Sequence, residues 1–282
     1  LNVPVGSGTP TLIESGTVFD PAATNPRSYW IPSVMVSGQG HAAFALSSAG
    51  NSDRANSATV GRLVGDALGT TQAVALYTSS STAYNVSDGY ASRGAHRWGD
   101  YSYVSLDPID DQTMWAVHMF CDATNSYGVR VAKLIAPPPA TPSALPDMTA
   151  GQNPVPVTLT GLSTSGSGFW DPGANLPGVP VLSHLAVSIT NGGATGTPPS
   201  VVSATFVDPT TVNLVLNAAS ATANIGAELY TLTVTNPDGQ TAAAAVVHVV
   251  GGVVAGACCD PSTGACTMVL QTACTSPLTW NG

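Results

Sequence analysis

Apolar and polar residues alternate in short runs along this chain, and clusters of Gly, Pro, Asn and Asp separate the runs. A period of two puts successive side chains on opposite faces of a strand, so each run predicts a β-strand. Six runs fall in the first 135 residues: 33–36, 41–46, 73–76, 103–106, 115–119 and 129–134. Gly38-Gln39-Gly40 turns the first pair, and Asp107-Pro108-Ile109-Asp110-Asp111 turns the pair 103–106 and 115–119. The pattern continues at 155–163 (VPVTLTGLS), 185–190, 199–216 and 229–250. Turns are expected there at Asp208-Pro209-Thr210 and Asn236-Pro237-Asp238-Gly239; in the second, Pro sets φ and Gly supplies φ > 0. No segment sustains a 3.6-residue apolar period with caps. Residues 58–68 come nearest to a short helix, and Gly61 and Gly65 oppose it. The expected fold class is all-β.

Residues 136–146, APPPATPSALP, hold five prolines in eleven positions and predict a stiff, extended linker. The expected organisation is a β module at 1–135, a Pro-rich linker at 136–152, a second β module at 153–250 and a Cys-rich tail at 251–282. Residues 242–259 carry no formal charge and have nearly the length of a membrane span. His248 and Gly251-Gly252 interrupt them, and Ala and Gly insert weakly, so they read as a strand followed by a linker. The opening LNVPVGSGTP has neither a basic nor an apolar signal region. The chain is therefore expected to be a processed mature form or a fragment of something longer.

Composition narrows the function. Hydrophobic residues make up 44% of the 282, which excludes a disordered chain. Charged residues make up 8%, against about 25% in typical soluble domains. Lys133 is the single lysine, and the net charge is −9. No basic stripe exists to neutralise phosphates or anionic lipid, which argues against nucleic-acid and membrane-surface partners. A polar but nearly uncharged surface lacks the charges that keep strand edges apart, so it favours lateral self-association. A low-charge secretome accounts for the same composition.

Five cysteines occur, and Cys258, Cys259, Cys266 and Cys274 lie within the last 25 residues. This density fits a disulfide staple in an oxidising compartment. Zinc is the competitor, but there is no C-x-x-C pair and no nearby histidine. Four cysteines allow three connectivities, and Cys121 is a fifth candidate partner. Catalytic signals are absent. His41, His96, His118, His184 and His248 are scattered, and Glu14 and Glu228 are the two glutamates. Asp107, Asp110 and Asp111 read as turn formers, with calcium as the competing reading and the one candidate cofactor. Arg97, Trp98 and Asp100 read either as a sugar or carboxylate pocket, or as a buried ion pair with Trp98 in the core. Residues 165–180 carry Phe169 and Trp170, either an exposed contact site or a plug closing the end of the second module. Asn85-Val86-Ser87 is a glycosylation sequon.

Residues 31–50, 97–120 and 126–134 resemble the last blades of bacterial secreted, sialidase-like β-propeller proteins; the closest stretch is RWGDYSYVSLDPIDDQTMW, 97–115. About 135 residues supply only two to three blades, so the resemblance implies an incomplete ring whose open faces need a cover. VPVTLTGLS, the run 199–216 and YTLTVTNPDGQTA at 230–242 are similar to TIG-type immunoglobulin-like domains. These resemblances imply an immunoglobulin-like sandwich of spacer, adhesive or carbohydrate-binding type. The end, GACCDPSTGACTMVLQTACTSPLTWNG, resembles a Cys-rich motif at the termini of some bacterial secreted proteins. The expectation is a non-enzymatic, extracellular or cell-surface structural protein, a candidate filament or layer subunit. Its candidate partners are further copies, other surface proteins and glycans, with Trp98, Phe169 and Trp170 as contact residues. The alternatives are a carbohydrate-binding accessory region and the C-terminal part of a secreted sialidase-like hydrolase.

Overall fold

The computed structural model describes residues 8–87, 89, 96–221, 227–251, 255–270, 274 and 279–281. Among them there is no α-helix, so the chain is all-β. It divides into two compact units, Leu1–Ala136 with Asn175–Leu182, and Pro137–Ala174 with Ser183–Gly282. The readings of the opening LNVPVGSGTP, of the strand-and-linker stretch 242–259 and of the Cys-rich tail fall partly outside the described residues.

In the first unit, β1 (Ser28–Val36), β2 (Ala42–Gly50), β3 (Asp53–Arg62) and β4 (Ala75–Leu76) form an antiparallel meander in chain order. A second sheet follows from β5 (Tyr103–Leu106), β6 (Met114–Phe120) and β7 (Gly128–Leu134). The first sheet is covered on both faces. Met35, Ala43 and Ala45 pack against Val104, Leu106, Met114, Ala116, Ala132 and Leu134 of the second sheet. On the other side Leu46, Ala58 and Val60 pack with Val18, Tyr29, Phe44, Val74 and Leu76. Small side chains at Ala43, Ala45 and Ser47 let the sheets come close. Four expected strands match β5, β6, β7 and β2 closely. β3 was not expected, because Asn56, Ser57 and Thr59 break the apolar alternation. Ala58 to Arg62 of the helix-like stretch belong to this strand. Its buried Asn56 and Ser57 are satisfied: Asn56 Oδ1 accepts from Thr78 Oγ1 at 3.0 Å and Ser80 N at 2.8 Å, and Ser57 Oγ donates to Met119 O at 3.0 Å.

The second unit holds β8 (Thr141–Pro142), β9 (Met148–Thr149), β10 (Val155–Leu162), β11 (Ala186–Thr190), β12 (Ser200–Asp208), β13 (Thr211–Asn217), β14 (Ala227–Thr235) and β15 (Thr241–Val250). Two sheets, β12-β13-β10-β8 and β11-β14-β15-β9, share one core. Leu159, Val212, Leu214 and Leu216 come from one, Leu232, Val234, Val247 and Val249 from the other. The Asn236–Gly239 turn forms as expected, with Gly239 at φ 87. The Pro-rich segment is extended, but it is not a free spacer. Ala140, Leu145 and Met148 are core residues, Ser143 N donates to Thr160 O at 2.9 Å, and Leu145 N donates to Val246 O at 3.0 Å. It runs from the edge of one sheet, as β8 beside β10, to the edge of the other, as β9 beside β15. Proline suits both ends, because edge positions do not need every N–H.

The tail adds β16 (Ala255–Cys259), β17 (Cys266–Leu270) and β18 (Thr279–Asn281), ordered β17-β16-β18. Disulfides join Cys258 to Cys274 and Cys259 to Cys266, selecting one of the three connectivities. Cys121 does not share in this framework. It is a free thiol, buried at the end of β6, with Sγ 3.2 Å from Ala123 O.

Phe169 is a second correction. The side chain is wholly buried, not a surface contact. The reason is a slot cut by Gly161, where an added Cβ would lie 2.6 Å from the Phe169 ring and 2.7 Å from Ala140 Cβ. Asn236 fixes the segment from the other side, donating to Gly168 O at 2.9 Å and accepting from Trp170 N at 3.1 Å. Trp170 is half-buried and meets Phe206 edge-on, with ring centroids 5.9 Å apart. Phe169→Ala is expected to destabilise the protein by about 3–5 kcal/mol. A surface contact residue would change stability by no more than about 0.5 kcal/mol. Chemical denaturation separates the two.

Candidate functional site

The first unit brings together residues that sequence spacing kept apart. Ser47 lies on β2, His118 on β6 and Trp98 on the segment before β5. Trp98 Nε1 donates to Ser47 Oγ at 2.9 Å, and Ser47 Oγ lies 2.5 Å from His118 Nε2. The indole can only donate, whereas the Ser47 hydroxyl can donate to Nε2 or accept from it, and the imidazole tautomer sets which. The imidazole also faces the Tyr101 backbone, and its buried Nδ1 closes no hydrogen bond of good geometry. Burial pushes the His118 pKa below its ordinary value, and the imidazole is held neutral. A serine against a histidine is the contact of an activated nucleophile. Here Ser47 and His118 are 0% and 2% exposed, and the indole occupies the hydroxyl. The triad is a buried hydrogen-bond relay that pins the Trp98 segment to both sheets.

Trp98 has a second role. Its ring meets Tyr84 edge-on, with centroids 5.1 Å apart, in the wall of an open cleft of about 240 Å³. Trp30 of β1, Arg54 of β3, Asn85, His96 and Arg97 complete the wall that matters. Trp30 stands where β1 bulges, next to Ile31 at φ 53. Arg97 and Asp100 are 64% and 63% exposed and 3.7 Å apart. The expected buried ion pair is therefore absent, because the segment runs along the surface and water solvates both groups. Three aromatic rings, two guanidiniums and an imidazole make this cleft able to stack a flat apolar surface and bind polar groups at its rim. The sequence pointed to Trp98 and Arg97 only. Trp30, Arg54 and Tyr84 come from separate strands and loops, and no local motif joins them.

The remaining candidates are spent on structure. Asp107 Oδ1 accepts from Ile109 N at 3.0 Å, and its Oδ2 accepts from Trp115 Nε1 at 3.2 Å. Asp110 Oδ1 accepts from Gln112 N and Thr113 N, both at 2.8 Å. These carboxylates close the hairpin between β5 and β6. Burial raises the Asp111 pKa. Among the described residues, no group of three or more His, Cys, Asp or Glu is arranged to hold a metal ion. Nor is any helix there long and apolar enough to cross a membrane.

One surface stands open. In the β5-β6-β7 sheet, Tyr103, Val117 and Val131 lie in one row, Ser105, Trp115 and Lys133 in the next, and Met119 pairs Val129. All face away from the core formed by Val104, Met114 and Ala116. Tyr103, Val129 and Val131 are more than half exposed. Lys133 lies over the Trp115 ring, 5.9 Å from its centroid.

Comparison with protein-family models, curated proteins and solved structures finds no match to this chain.

The buried histidines make stability pH-dependent. Burial lowers the pKa of both His41 and His118 in the folded state. The unfolded chain titrates near 6.5 and takes up protons first as pH falls. Stability contributed by these groups is complete above that value and is lost as pH falls through 6.5 toward the folded-state pKa. The thermal midpoint is expected to fall between pH 7 and pH 5. His118→Gln should lower the midpoint at pH 7 and flatten this slope; circular dichroism melts measure both.

Proposed function

We propose that this chain is a non-enzymatic secreted or cell-surface structural protein that associates with further copies of itself. The uncovered face of β5-β6-β7 carries the reading. A sheet that buries Val104, Met114 and Ala116 on one side and leaves Tyr103, Trp115, Val129 and Val131 in water on the other lacks a layer. This is the situation expected of propeller-like blades that do not close a ring, and a neighbouring copy supplies the cover. The scarcity of charge supports the same reading, since few like charges oppose contact. The disulfides of the tail favour an oxidising, extracellular compartment. In this reading the second unit, two sheets over one core, is a TIG-type immunoglobulin-like spacer. Among the described residues, the serine–histidine contact of Ser47 and His118 is buried away from solvent.

The cleft of Trp30, Tyr84 and Trp98 favours a second reading, a glycan-binding accessory protein. Stacking of sugar rings would quench tryptophan emission, and Trp30→Ala would remove the change.

Sedimentation velocity across a concentration range tests the first reading. The mass should rise above the 28.3 kDa of one chain, and Val131→Lys should return it toward the monomer. A monomer at every concentration overturns it.

A further inference from the structure

The chain has a net charge of −9 and only seven Lys and Arg, yet two of these, Arg54 and Arg97, line the cleft of Trp30, Tyr84 and Trp98. Asp53 is the one carboxylate among the described lining residues, and Arg27 Nε already holds its Oδ2 at 2.6 Å. Asp100 lies 3.7 Å from Arg97, but both side chains are mostly exposed, and water weakens such a pair. Among the described residues no carboxylate pairs with Arg54, which is exposed. An acidic chain thus carries a local excess of positive charge at this cleft. An anion is drawn to such a place and repelled from the rest of the surface.

Charge alone would accept any anion; the rings narrow the choice. Trp98 and Tyr84 stand at 87° with centroids 5.1 Å apart, so they make a corner. One ring of a corner is a platform and the other an end wall, which suits a single flat ring with apolar C–H faces. Trp30 adds a third ring to the wall. The cleft is open and holds about 240 Å³, less than the roughly 300–1,000 Å³ of a drug-sized ligand site. One ring enters, and the rest of a longer molecule leaves through the mouth. Groups for hydroxyls are also present. His96 Nδ1 lies 2.9 Å from Val86 O, which can only accept, so Nδ1 carries a hydrogen and Nε2 of the neutral imidazole can accept. Asn85 is exposed in the same wall, its backbone N–H fixed by Asn125 Oδ1 at 2.7 Å, and its amide can both donate and accept.

Resting on the glycan-binding reading of this cleft, we propose that its ligand is an acidic glycan: a sugar ring bearing a carboxylate stacks in the corner of Trp98 and Tyr84, and the carboxylate meets Arg54. Guanidinium and carboxylate match as two planar forks, and this charge-assisted contact is stronger than one between neutral groups. The carboxylate of a uronic acid projects from the edge of the ring, so stacking and ion pairing are satisfied together. Arg97 adds a second positive charge at the same mouth, and His96 and Asn85 take the hydroxyls.

Titration calorimetry of the full chain with oligogalacturonate, its methyl ester and polyglutamate tests this. The ester keeps the sugar ring and loses the charge; polyglutamate keeps the charge and has no ring. Oligogalacturonate should bind roughly tenfold or more tightly than the ester. Salt should narrow that gap, because the ion pair is exposed. Arg54→Gln should remove the gap, and Trp30→Ala should weaken acid and ester alike; circular dichroism melts establish that each variant folds. If acid and ester bind equally, the acidic preference is wrong while glycan binding stands. If Arg54→Gln leaves the gap intact, the carboxylate does not meet Arg54 and the assignment is overturned. Polyglutamate that binds as tightly as the acid shows that charge without a ring suffices, and it overturns the proposal as well. Binding of neither sugar removes both this proposal and the reading it rests on.

Discussion

Close approach of two sheets across Ala43, Ala45 and Ser47 is the constraint on which the first unit depends. β2 must serve two cores at once, with alternate residues facing β5-β6-β7 on one side and the layer with Val18 and Tyr29 on the other. A strand buried on both faces cannot alternate apolar with charged residues. It uses small and hydroxyl-bearing ones, and each buried hydroxyl then needs a partner. Ser47 finds it in His118 and Trp98, and Ser57 finds it in the Met119 carbonyl. The polar contacts therefore join the same sheets that the alanines bring together, and loss of either loosens the segment that shapes the cleft.

The second unit solves a related problem with a glycine and an asparagine. Gly161 opens the slot that Phe169 fills, and Asn236 holds the backbone on either side of that ring. A single neutral amide does what an ion pair does in a more highly charged protein. It also avoids the desolvation cost that burying a charge would impose. The Pro-rich segment contributes in the same spirit. Its prolines sit where the chain crosses from one sheet edge to the other, and its apolar residues enter the core.

The strands legible in the sequence were those with one wet face, such as β6, β10 and β14, because burial on one side writes the period of two directly. β3 was missed for the opposite reason. Asn56 and Ser57 are inside, satisfied by groups 21 to 62 residues away, and their polarity reads as surface. Phe169 was ambiguous because a short loop aromatic has no periodicity to show which way it points. The relay and the cleft were illegible in principle: Ser47 and His118 are 71 residues apart, and only the stacking of two sheets brings them into contact. Cys121 shows the converse error. Counting cysteines suggested a fifth member of the tail's framework, whereas its position at the end of β6 makes it a small buried side chain.

Scarce charge changes how recognition can be encoded. In an ordinary domain, dispersed Lys and Glu make every wrong contact slightly repulsive, and specificity emerges from a few patches where repulsion is absent. In this chain repulsion is nearly absent everywhere, so shape must prevent wrong pairing. Bulges, prolines and two-residue edges do that for five of the six edges of the four-stranded sheets. Two of the seven cations, Arg130 and Lys133, lie on β7, whose far side no strand pairs among the described residues. A surface guarded by geometry rather than by charge can still be selective.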